Sequence, residues 1–75
     1  MTFSQKEQIT RLIASILHGI NRADAIADGI PVDEGIKAMY IKDIANSLAY
    51  ARNKMDELKQ YLMELDNDRE NIEEN

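Results

Sequence analysis

The side chains able to do chemistry here are few: His18 is the only imidazole, cysteine is absent, and fourteen carboxylates stand against nine Lys and Arg. Asp24 and Asp28, one helical turn apart, precede Asp33 and Glu34, so four acids gather around one short segment. A hard cation takes six or more oxygens in a defined geometry, and no loop here supplies them. Asp33 and Glu34 are already explained as acids at the positive end of a helix dipole. Asp66-Asn67-Asp68-Arg69-Glu70 begins like a calcium loop, but Asn71 stands where that loop needs glycine and its twelfth position falls beyond Asn75. His18 falls two residues past Ile16, on the outward side of its helix, with Ala14, Ser15, Asn21 and Arg22 around it and no second ligand. Gly19, Gly29 and Gly35 are isolated, so no phosphate-binding loop is present, and no serine has a base beside it in sequence. The expectation is therefore no catalytic residue, no metal and no cofactor.

What remains is binding. Lys37, Lys42, Arg52 and Lys54 make one stretch mildly basic. Lys37, Tyr40, Arg52 and Lys54 are the candidates for holding a small anion, such as a nucleotide, between subunits. The basic stretch has two further uses: docking the acidic arm of another subunit, or gripping RNA as dimers of two-helix subunits do. The charge runs along the chain unevenly. Residues 1–30 carry no net charge, 31–55 carry +1, and 56–75 carry −6. That distribution is the reverse of a general electrostatic DNA binder. Neither a leader peptide nor a membrane span is expected from a start reading MTFSQKEQIT, and a chain without cysteine suits a reducing, cytoplasmic compartment.

The elements that position these residues read as two helices. Ser4-Gln5-Lys6-Glu7 has the form of a capping box and opens the first, over 4–28. Ile9, Ile13, Ile16, Ile20, Ala23, Ala27 and Ile30 recur at alternating steps of four and three, with Leu12, Leu17 and Ile26 flanking them. Asp28-Gly29-Ile30-Pro31 ends it, Gly29 being suited to a left-handed cap. A turn over 29–33 leads to a second helix over 34–66, begun either with Pro31 in its first turn or with Asp33 as its cap. Its stripe is Ile41, Ile44, Leu48, Ala51, Met55, Leu58, Leu62 and Leu65, with Arg69 and Ile72 continuing the spacing. Residues 67–75 form an acidic tail expected to fray.

The fold class is all-α: a single-domain antiparallel hairpin with a long second helix, self-associating into a helical bundle or coiled coil. With a turn centred near residue 31, Ile9 is expected level with about residue 53, and at ~1.5 Å per residue everything beyond about residue 57 overhangs. An overhang bearing Leu58, Leu62 and Leu65 needs a cover. We therefore expect a homodimer or higher oligomer through Ile13, Ile16, Ile20, Leu48, Met55, Leu58, Leu62 and Leu65. Gly19, Ala23, Ala27 and Ala51 permit close helix approach, or leave a small intersubunit cavity rimmed by Tyr40, Tyr50 and Tyr61. The surface offered to a partner protein is read as the acidic arm, residues 56–75, with Met39, Tyr50, Met63, Glu64 and Asp66. The sequence thus describes a non-catalytic binding protein, with anion sequestration and RNA binding as the alternatives.

Overall fold

The computed structural model describes the backbone of residues 1–74 and the side chains of residues 1–67. Within them the chain is two helices packed against each other, α1 (Phe3–Asp28) and α2 (Glu34–Glu74), forming a rod of 63 × 18 × 11 Å. The architecture is an all-α hairpin.

α1 starts two residues earlier than Ser4 suggests. Thr2 is the N-cap: its hydroxyl accepts from the Gln5 N–H at 3.2 Å, and its own N–H donates to Gln5 Oε1 at 2.8 Å. Thr2 and Gln5 have the same polar spacing as Ser4 and Glu7 and close the reciprocal pair, which leaves Ser4 inside the helix. Glu7 instead meets Arg11, one turn on, at 2.6 Å. At the other end Gly29 lies at φ −99°, so the left-handed cap expected there does not form. The helix closes through three-residue hydrogen bonds, Gly29 N–H to Ile26 C=O and Ile30 N–H to Ala27 C=O. Pro31, which lacks an N–H and disfavours a helical Ile30, prevents continuation. Of the two starts weighed for α2, Asp33 provides it: Asp33 Oδ1 accepts from Gly35 N–H at 2.9 Å and Ile36 N–H at 3.2 Å. α2 continues to Glu74, well past the boundary at 66 suggested by the polar composition. The side chains of Arg69 and Ile72 lie outside those described.

The helices meet most closely at Gly19. A Cβ there would stand 3.0 Å from both Ala51 Cβ and the Ser47 carbonyl oxygen, so α1 lies backbone to backbone on α2 at this level. Gly19 falls between Ser47 and Ala51, level with position 49, and facing residue numbers therefore add to about 68. Gly29 beside Tyr40 and Gln8 in one cleft with Gln60 obey the same register. Ile9 thus faces about position 59, not 53, and Phe3 faces about position 65. The expected overhang beyond residue 57 is corrected: α1 flanks α2 almost to Leu65. The cause lies at the turn, where Asp28 comes level with about position 40, so the first turn and a half of α2 projects beyond α1. That slides α2 by about six residues, ~9 Å, relative to a tight reversal.

Candidate functional site

Three stripes per helix organise the surface. A shared stripe, Ile9, Ile16 and Ala23 on α1 with Ile44, Ala51, Leu58 and Leu65 on α2, is buried or half-buried. An inner stripe, Leu12, Gly19 and Ile26 with Tyr40, Ser47, Lys54 and Tyr61, is also buried or half-buried, so these two form the seam of the hairpin. An outer stripe, Ile13, Ile20 and Ala27 with Ile41, Leu48, Met55 and Leu62, is exposed. The apolar heptads of the sequence combine the shared and outer stripes, but the chain closes on the shared and inner ones. Half of each expected seam therefore lies outside.

The inner seam is the more polar choice. Ser47, only 7% exposed, donates its hydroxyl to the Asp43 carbonyl at 2.9 Å and so meets its own need within α2. Lys54 lies along the seam with its ammonium 3.0 Å from Glu57 Oε2 and 5.7 Å from the Tyr50 ring centre. The hydrogen bond from Glu57 raises the Lys54 pKa above the usual lysine range, with the Glu57 charge adding to it. Small residues explain the choice: Gly19 and Ala23 against Ser47 and Ala51 let the backbones close, which bulkier outer residues would prevent. The result is a thin core. Among the described residues Leu12, Ala23 and Ala51 are the buried apolar ones, and no large side chain is fully enclosed.

In an antiparallel pair the outer stripes of both helices fall on one side. By the register above, Leu48 lies beside Ile20, Met55 beside Ile13, and Ile41 beside Ala27. Leu17, one turn from Ile13 and Ile20, broadens this face on α1. Ile13 (44%), Ile20 (43%), Leu48 (48%) and Met55 (50%) are each about half exposed. Near the open end of the hairpin the face becomes a groove on α2 between Met55, Leu58, Leu62 and Met63, edged by Lys59 and Asp66. The opposite side is polar. It carries one shallow cleft lined by His18, Gly19, Arg22, Asp43, Asn46, Ser47 and Tyr50, and another that includes Gln8, Leu12, Lys54, Glu57, Tyr61 and Glu64.

Of the residues assigned to an oligomer interface, Ile13, Ile20, Leu48, Met55 and Leu62 share the exposed face, while Ile16, Leu58 and Leu65 pack in the hairpin seam. The candidate anion contacts do not meet within one chain. Lys37 pairs with Glu34 at 3.6 Å and Lys54 with Glu57, some ~25 Å apart along a single helix. Tyr40 is in the seam and Arg52 edges the apolar face. Tyr50 and Glu64 belong to the polar side, Met63 and Asp66 to the α2 groove, and Met39 is exposed. These do not form one patch. Among the described residues no three His, Asp or Glu side chains gather as metal ligands, and no helix is long and apolar enough to cross a membrane. Comparison with the known protein families, with curated proteins and with solved structures returns no match.

Proposed function

We propose that the protein is a non-catalytic, self-associating helical binding protein, a small adaptor, inhibitor or regulator that works on a macromolecular partner in a reducing, cytoplasmic setting. One observation carries the reading. The hairpin spends its contact surface on Gly19, Ser47 and Lys54 and leaves Ile13, Ile20, Leu48 and Met55 on one open face. A chain of 75 residues with so thin a core gains its missing burial most directly from association. The apolar face then serves assembly, and the polar side with Tyr50, Arg22 and Glu64 is what an assembled bundle presents to others.

Unfolding followed at several protein concentrations tests this. Association of folded chains makes Tm rise with concentration by mass action. A Tm independent of concentration, from a chain that melts cooperatively, contradicts the reading.

A further inference from the structure

The open apolar face has an occupant that fits it: we propose that it is covered by a second copy of the same chain, packed face to face and head to tail, so that the two turns lie at opposite ends of a four-helix bundle. This inference rests on the self-association proposed above and adds its geometry.

The size of the face suits an isologous partner. Seven side chains, each about half exposed, offer roughly 600 Å² of apolar surface per chain, against ~800 Å² per partner in a stable interface. Two face-to-face arrangements match the apolar layers equally well. With turns together, α1 lies on the partner's α2 and Ile20 meets the partner's Leu48. With turns opposed, each helix lies on its own copy and Ile13 meets the partner's Ile20.

Charge decides between them. Beside the outer face, α1 carries Lys6 at its open end and Asp24 towards the turn, α2 carries Arg52, Lys59 and Asp66 along one stripe, and Glu34 is paired with Lys37. Turns together would set Lys6 near the partner's Lys59 and so oppose like charges at the open end. It would also lay the acidic arms side by side, whose described part, residues 56–67, carries net −3. Turns opposed places Lys6 near the partner's Asp24 and puts the arms at opposite ends of a 63 Å rod, far beyond a screening length of ~8 Å. Arg52 approaches its own copy near the twofold, at the solvent edge, with Asp56 one turn away on its own helix.

The absence of cysteine makes crosslinking a clean test. Leu17 lies beside the twofold in the opposed arrangement only, so a Leu17→Cys chain should shift to a disulfide-linked dimer on mild oxidation. An Ile41→Cys chain mixed with a Leu62→Cys chain should give the mixed dimer, while neither links to itself. Sedimentation equilibrium of each reduced variant is run first. If the chains are dimeric but Lys6→Cys crosslinks to Leu62→Cys instead, or none of these pairs crosslinks, the head-to-tail geometry is overturned and self-association stands. If the unmodified chain is monomeric, self-association itself fails.

Discussion

Replacing Gly19 by alanine sets two effects of known size against each other. Alanine is the better helix former in a helix interior by ~1 kcal/mol. Its Cβ, however, would stand 3.0 Å from Ala51 Cβ, 3.0 Å from the Ser47 carbonyl oxygen and 3.3 Å from the Ala51 nitrogen. Two of these neighbours are α2 backbone and the third is an alanine methyl, so no rotamer change relieves the contact and the helices must move apart. Overpacking of this kind costs ~1–3 kcal/mol. With two neighbours on the backbone side the crowding wins, and Gly19→Ala should destabilise by up to about 2 kcal/mol, lowering Tm by up to roughly 10 °C for a chain of this size. Thermal unfolding by circular dichroism at fixed protein concentration reads the effect. Gly29→Ala is the control, because nothing stands closer than 3.8 Å to a Cβ there and its φ of −99° suits any residue. If Gly19→Ala raises Tm by the full propensity gain, the helices do not touch at Gly19 and the register built on that contact is wrong.

Leu48→Gln should weaken association without unfolding the hairpin. Burying the exposed 48% of Leu48 contributes about 1 kcal/mol per chain, twice that per dimer, so Kd should rise roughly 10–100-fold by sedimentation, while Met39→Gln on another face leaves it unchanged. Asp33→Ala removes the acceptor for the Gly35 and Ile36 N–H groups and should cost ~1 kcal/mol in denaturant unfolding. Ser47→Ala should change stability by less than ~0.5 kcal/mol, because its hydroxyl serves only the Asp43 carbonyl of its own helix, and a larger loss would show a bond across the seam. The raised Lys54 pKa stabilises the fold wherever lysine is charged in the unfolded chain and is lost only as pH rises through the folded value, above the ordinary value of 10.5. Stability between pH 6 and 9, read by denaturant unfolding, should therefore show no step removed by Glu57→Gln, while NMR titration of Lys54 in that variant should fall back towards the ordinary lysine range. Inorganic phosphate at millimolar concentration should leave Tm unchanged, since Lys37 and Lys54 are paired and far apart.

The two helices and the break at Gly29–Pro31 were legible because each rests on local chemistry, heptad spacing and a missing N–H, whereas Asp33 was one of two starts that local chemistry left open for α2. The register and the seam were not. Periodicity marks Ile9, Ile13, Ile16 and Ile20 as apolar, yet it does not say which adjacent pair of stripes closes on the neighbouring helix and which faces away. That choice depends on how near the backbones can come, and Gly19 opposite Ser47 and Ala51 settles it through volume, not hydrophobicity. Ser47 and Lys54 were invisible as seam residues because each satisfies its polar group along α2, with Asp43 and Glu57 respectively, a property of three-dimensional placement. The overhang beyond residue 57 is lost for a related reason: a five-residue link can reverse a chain at several offsets, and the one adopted shifts α2 by about six residues. The proposal of a second copy accordingly rests on one side of the hairpin and not on the end of α2.

The central claim is that Ile13, Ile20, Leu48 and Met55 form an interface between chains. Sedimentation equilibrium of the full chain beside an Ile20→Gln, Leu48→Gln double variant tests it most directly, with circular dichroism confirming that both remain helical. The account predicts a dimer for the unmodified chain and a helical monomer for the variant. An unmodified chain that sediments as a stable monomer, or a double variant that dimerises equally well, contradicts it.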